Sequence, residues 1–271
     1  MRNEITLSPK HLIWALIFLI VAALSAGAVH GQEPPIVTDR PGFLFSSLTV
    51  GPGVFQTELG LPSVTLIEDG ESEFRATSAV ALFRYGIGDN FELRLGGPLY
   101  TEIRTEFGPF SETESGYGDL EVGAKWHLLD NQGGQPSFAL IPSVILPTGE
   151  DGFSAEDPVY QLNAMAEWTL ANGWGIGALA GYLNGPDGDD RYGQETFALA
   201  AGRSLPSPKW SAYGEAVYVT SNIGDGADAS FLGAGIKYLA ANDFQLDLSF
   251  DRGLNDDAAD WLFGFGLAAR F

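Results

Sequence analysis

The chain has 271 residues, with 35 Asp and Glu against 14 Lys and Arg, a formal net charge of -21. A surface this acidic repels phosphates and argues against binding nucleic acid. With no Cys at all, disulfides, zinc–thiolate sites, iron–sulfur clusters and thiol catalysis are excluded.

A hydrophobic share of 45% argues against disorder, and 35 Gly with 12% aromatics point to an all-β chain. The first element, residues 1–31, predicts a cleaved secretory signal peptide. Arg2 and Lys10 precede an apolar run over 12–24, and small residues follow at 25–28. Ala26-Gly27-Ala28 and Val29-His30-Gly31 both fit a processing site, and the second leaves Gln32 as the first mature residue. The competing reading is an uncleaved anchor. Residues 12–29 are just long enough to span, but the second half is weakly apolar.

Residues 32–53 lack clean alternation. They are expected as a lumen plug or as a periplasmic lead-in, with a disordered tail as the plain alternative. Asp39-Arg40-Pro41-Gly42 reads as a turn, leaving Asp39 and Arg40 to pair with charges inside a barrel.

From 54 to 271 the chain alternates with a period of two, which puts successive side chains on opposite faces of strands. Phe91, Leu93 and Leu95 alternate with Glu92, Arg94 and Gly96. Leu120 to Leu128 alternate with Glu121, Gly123, Lys125 and His127, and Tyr160 to Trp168 with Gln161, Asn163, Met165 and Glu167. The same holds at Leu232 to Tyr238, Phe244 to Phe250 and Trp261 to Phe271. Segments of ten to twelve residues suit tilted strands crossing a bilayer, whereas soluble strands commonly run about half that. Trp126, Trp168, Trp174, Tyr182, Tyr238, Trp261 and Phe271 lie near segment ends on the apolar face, as an interfacial girdle requires.

Connectors alternate in length. Short ones fall at 88–90, 130–135, 171–173, 206–209 and 240–243. Longer acidic ones are expected at 68–73, 105–118, 148–158, 184–192, 222–229 and 253–259. Short turns on one side and long loops on the other is the asymmetry of outer-membrane barrels. The expectation is a closed, antiparallel, transmembrane β-barrel of about twelve strands with both termini on the short-turn side. Closure follows because hydrocarbon tolerates no open sheet edge.

The inward set is then Glu58, Glu92, Arg94, Glu121, Lys125, Glu167, Glu215, Lys237, Asp247, Asp251 and Arg270. Its mixed signs fit a salt-bridged filling or a lining that selects a solute. The long loops carry Asp187, Asp189, Asp190, Asp256, Asp257 and Asp260. Their spacing misses a calcium loop, and they read as a solvated surface bridged to lipopolysaccharide by loosely held divalent cations. No hydrolase, Walker or zinc-protease motif occurs. The one mature His, His127, faces inward at the short-turn end, where neither a lipid hydrolase nor a rim protease would need it. No catalytic residue, metal or cofactor is expected.

Several stretches resemble a known family. Thr38-Asp39-Arg40-Pro41-Gly42-Phe43 is similar to the opening motif of outer-membrane proteins grouped under "putative meta-pathway of phenol degradation", often described as transporters. Residues 83–94 resemble its second hairpin. Gly118-Asp119-Leu120 with Gly123-Ala124-Lys125-Trp126 resembles its most recognisable motif. Ala139-Leu140-Ile141-Pro142-Ser143 and Leu146-Pro147-Thr148-Gly149 resemble the strand that follows.

The resemblance implies an outer-membrane barrel that passively admits small, aromatic or hydrophobic molecules. It supplies no catalytic residue. Expected partners are outer-membrane lipid and lipopolysaccharide, an unidentified solute, and the barrel assembly machinery through the C-terminal strand ending at Phe271. The competing classes are a structural or adhesive barrel without transport and a soluble β protein.

Overall fold

The computed structural model describes residues 34–171, 173–223 and 226–271; the expected signal peptide lies outside the described residues. Thirteen strands follow one another: β1 (Phe55–Asp69), β2 (Ser72–Gly88), β3 (Phe91–Phe107), β4 (Phe110–Gly116), β5 (Leu120–Leu129), β6 (Ser137–Leu146) and β7 (Val159–Thr169), then β8 (Trp174–Asp187), β9 (Asp190–Ser204), β10 (Trp210–Ser221), β11 (Ala227–Ala241), β12 (Phe244–Gly253) and β13 (Trp261–Arg270). Sequential neighbours pair antiparallel, except that β3 bypasses β4 to reach β5 and β13 returns to β1. Twelve strands therefore close into a ring. The thirteenth, β4, pairs only with the far half of β3, from Thr101↔Gly116 to Phe107↔Phe110.

The seam between first and last strands is fully bonded. Gln56 faces Arg270 and Leu66 faces Trp261, and beyond them the Phe271 N–H donates to the Phe55 carbonyl at 2.8 Å. One residue bulges out of β1 between Gly60 and Ser63. Pro62 sits in this gap, where its missing N–H costs no ladder bond.

The short connectors lie at one end, at 89–90, 130–136, 170–173, 205–209 and 242–243. The other end differs from expectation in three places. The connectors expected at 68–73, 105–118 and 184–192 are strand extensions, closed by two-residue turns at 70–71, 108–109 and 188–189. β1, β2 and β3 reach 15, 17 and 17 residues. Beyond the bilayer both faces of a strand meet water, so polar residues occupy both and the apolar stripe that marks a strand vanishes. Cross-strand pairing continues all the same. Genuine loops remain at 147–158 and 254–260.

The outer wall is apolar and open: Leu93, Leu162, Leu199, Leu232 and Leu248 are all exposed, Leu199 at 62%. Trp126, Trp174 and Trp210 mark its short-turn rim, and Tyr160, Tyr182 and Tyr218 its other rim. A wall of this kind is stable only against lipid. The buried charges of the strands face the other way, into the ring.

Candidate functional site

Residues 34–53 occupy the lumen. Their ends are tied at the short turns: the Ile36 N–H donates to the Asn242 carbonyl at 2.7 Å, and the Thr49 hydroxyl to the Asp89 carbonyl at 2.6 Å. Between these ties the segment climbs inside and returns.

Asp39 is the centre of its charged side. Lys125 Nζ donates to its Oδ1 at 2.7 Å, Arg94 Nη1 to its Oδ2 at 2.5 Å, and the Ser46 N–H to Oδ1 at 2.8 Å. The Asp39 N–H in turn donates to Glu58 Oε2 at 2.9 Å. Arg84, which is fully buried, ties the wall together. It holds Glu92 through both oxygens at 2.8 and 2.9 Å, Glu58 at 2.9 Å, and the Val37 and Leu48 carbonyls of the segment at 3.2 and 3.0 Å. The Val50 N–H donates to Glu92 at 2.9 Å. Burial alone would raise the pKa of the Asp39 carboxyl. The positive charges of Arg84, Lys125 and Arg94 outweigh it and hold the group well below the usual carboxylate range.

Strand geometry explains the arrangement. Arg84, Glu92, Arg94 and Lys125 sit on β2, β3 and β5, with Arg84↔Arg94 and Glu92↔Lys125 directly opposite in register. Two arginines side by side are tolerated because Glu58, Glu92 and Asp39 interleave with them.

Arg40 crosses to the β12–β13 wall and pairs with Asp247 at 3.1 Å. Its guanidinium lies flat against Gly60 and Gly266. A Cβ at Gly60 would lie 2.7 Å from Arg40 Nη1, and one at Gly266 would meet the guanidinium, so a larger residue at either place would displace the Arg40 head group.

The far side of the segment is apolar. Phe43, Leu44 and Phe45 pack on the inward residues Met165, Leu179, Ala198, Val217 and Phe231 of β7 to β11, and Ala258 of the last loop closes the cluster. Phe43 stacks on Phe231 with ring centroids 5.8 Å apart. Gly177 makes room: a Cβ there would lie 2.8 Å from the Leu44 side chain.

The remaining expected residues are placed as follows. Glu167 accepts from the Ser47 N–H at 2.6 Å and from the Ser47 hydroxyl. Glu215 accepts from the Phe43 N–H at 3.0 Å. Asp251 and Asp247 are buried nearby. Glu215 Oε1, Asp247 Oδ2, Asp251 Oδ1 and the Tyr213 hydroxyl are all buried, and Glu215 lies beside both Tyr213 and Asp251. Arg270 bonds Asp243 at the short-turn end, with Nε at 2.7 Å, and Nη2 reaches the Pro34 carbonyl at 2.8 Å. Glu121 stands half-buried in β5 and joins none of these bonds. Lys237 is half-buried on β11.

Sequence reasoning missed Arg84, Gln56 and Tyr213. Arg84 was legible, because Phe83 and Tyr85 flank it as outward aromatics. His127 stands between the Ser47 carbonyl and Asp130, 3.0 Å from each.

A second carboxylate organises the outside. Asp119, in the connector before β5, accepts from the Thr148 and Gly149 N–H groups, the Ser154 hydroxyl and the Ala155 N–H at 2.7–2.8 Å. Burial opposes ionisation, but the Ser154, Ala155, Gly149 and Thr148 donors prevail and hold its pKa below the ordinary value. Loop 147–158 is thereby pinned. Among the described residues, no group of three or more His, Cys, Asp or Glu is arranged to hold a metal ion.

Residues 38–271 match the family model described as "Putative MetA-pathway of phenol degradation". No curated protein matches the chain by sequence. Among solved structures, an outer membrane channel from Pseudomonas putida F1 is similar, with a TM-score of 0.66 and 15% identity, covering 86% of this chain and 99% of that one. The β domain of the Bordetella autotransporter BrkA aligns with a TM-score of 0.55 and 13% identity over 82% of this chain and 100% of that one. The translocator domain of the autotransporter NalP from Neisseria meningitidis gives a TM-score of 0.51 and 10% identity, covering 100% of both. Identities this low establish a shared barrel fold.

Proposed function

The chain belongs to the family whose model it matches, and we propose that it is a passive outer-membrane channel for small molecules, aromatic or hydrophobic ones among them, with residues 34–53 as its plug. The barrel performs no chemical step on the solute. Glu58, Arg94 and Lys125 anchor the plug through Asp39 and Glu92 through the Val50 N–H, while Glu121, Glu167, Glu215, Lys237, Asp247 and Asp251 line the path beside it.

One observation carries this reading: a separate segment fills the ring, and the wall holds its two sides unequally. An ionic clamp grips Asp39 on β1 to β5. Phe43–Phe45 meet β7 to β11 by van der Waals packing and one bond from the Phe43 N–H to the Glu215 carboxylate, and Glu167 of β7 accepts from Ser47 just beyond them. A plug so held opens on its apolar side without leaving the barrel, and solute passes between it and β7 to β11. The hydrocarbon lining there suits weakly polar solutes, and the family description, which concerns phenol degradation, agrees with that. Lipopolysaccharide meets the acidic loops, and the assembly machinery engages β13 and Phe271 before the seam closes.

Solute flux into proteoliposomes tests the channel. Wild type admits small solutes slowly. Asp39→Ala, which leaves Lys125 and Arg94 without their shared partner, raises the flux several-fold. A barrel that admits nothing in either form is structural or adhesive, and the channel reading falls.

A further inference from the structure

A cavity of about 680 Å³ lies between the plug and β7 to β11 and is edged by the short turns at Asn131, Gly173 and Lys209. Drug-sized ligands occupy clefts of roughly 300–1,000 Å³, so the space suits a small organic molecule. Small inward residues, Gly175, Gly177, Ala200 and Gly202, create it on β8 and β9. Leu44, Phe45 and Met165 give it an apolar side.

Its polar groups are asymmetric. Three carboxylates line it, and each is engaged from within the protein. Glu167 accepts from Ser47, Glu215 Oε2 accepts from the Phe43 N–H, and Asp130 lies 3.0 Å from His127. The second oxygen of Glu215 is sealed from the space. Of its cations, Arg203 and Lys209 are exposed at the short-turn edge, with Arg203 over the Trp174 ring, and only Lys237 is half-buried. It lines the cavity, yet among the described residues no hydrogen bond and no ion pair within 4.0 Å holds its ammonium. Of the carboxylates facing it from other elements, Glu58 is held by Arg84, Asp39 by Lys125 and Arg94, Glu167 by Ser47, and Asp247, opposite Lys237 in register, by Arg40 through one oxygen. The cavity thus offers a free cation, engaged acceptors and a hydrocarbon surface.

We propose that this cavity is a binding site for amphipathic monocarboxylates, whose carboxylate pairs with Lys237 and whose apolar body lies against Leu44, Phe45 and Met165. The site opens toward the short turns, away from the acidic outer loops that would repel an anion. It rests on the channel reading in placing a solute site in the lumen, but binding is measurable without transport.

The test titrates purified barrel in detergent with 3-phenylpropionate, 3-phenylpropanamide and 3-phenylpropylamine, which differ only in the head group. Calorimetry should show the carboxylate binding at least tenfold more tightly than the amide, and the amine not binding. Lys237→Met should remove that preference while amide binding stays. Ala200→Phe, which fills the space, should abolish binding of both. Retained heat-modifiable mobility on gels checks that each variant is folded. Equal affinity of wild type for all three probes, or a carboxylate preference that survives Lys237→Met, overturns the proposal. Flux of a neutral sugar into proteoliposomes, run in parallel, reports on the channel separately: flux without carboxylate preference removes this site alone, whereas binding without flux removes the channel and leaves the site.

Discussion

On the β1–β5 side of the lumen, Arg84, Glu58, Glu92, Arg94 and Lys125 surround Asp39 with every charge paired at 2.5–3.0 Å. On the β7–β11 side, Met165, Leu179, Ala198, Val217 and Phe231 meet the same segment with hydrocarbon. The difference is one of direction and range. Buried ion pairs in low dielectric are specific and costly to break singly, because a lost partner strands a charge. Apolar contacts are non-directional and re-form in many arrangements. The charged side fixes where the segment sits, and on the apolar side a shift breaks only the bonds to Glu215 and Glu167 and leaves the clamp on Asp39 whole.

The sharpest way to break that contrast is Arg84→Met. It strands Glu58 and Glu92 and frees the Val37 and Leu48 carbonyls, and should cost about 3–5 kcal/mol. Denaturant midpoints of the refolded barrel would register this as the largest single loss. A smaller loss is expected across the lumen. Phe43→Ala removes a partly buried ring stacked on Phe231, at about 2 kcal/mol or less, because the ring is only partly enclosed. It should raise solute flux more than Arg84→Met does per unit of stability lost. If both variants affect flux and stability in the same ratio, the two walls are equivalent and the contrast fails.

The smallest effect lies outside the lumen. Asp119→Asn weakens four bonds that pin loop 147–158, for about 1–2 kcal/mol of local stability, visible as faster proteolysis of that loop with flux unchanged. Its sign with pH follows from the lowered pKa. Protection is complete above the ordinary Asp value of about 3.9 and fades only as pH falls further, through the depressed value. Loss of protection already near pH 6 would contradict the assignment.

The ring itself was legible because lipid enforces a period of two on every spanning strand. Leu93 and Leu95 against Glu92 and Arg94 is enough to assign both faces of β3. The extensions of β1 to β3 and of β8 and β9 were not legible, since water on both faces erases the stripe. Their turns still carry a local signal, Gly70, Gly108 and Gly188 at positive φ, where the missing side chain permits a left-handed backbone. Residues 34–53 could be expected as a plug or a lead-in, but how they would pack was not legible, for a different reason. The contacts that seat it on the walls are long-range, as with Arg40 to Asp247, and Phe43-Leu44-Phe45 has no periodicity of its own. Asp39 and Arg40 could be noticed as charges in need of partners, but which wall each would reach depends on the closed ring.

The most direct measurement locks the plug in place. The Ser47 and Ser137 hydroxyl oxygens lie 2.7 Å apart, and the chain has no Cys of its own, so Ser47→Cys with Ser137→Cys ties the segment to β6 by one disulfide. Flux into proteoliposomes should fall when this pair is oxidised and return on adding reductant. Equal flux in the oxidised and reduced states would contradict a plug that moves to let solute through.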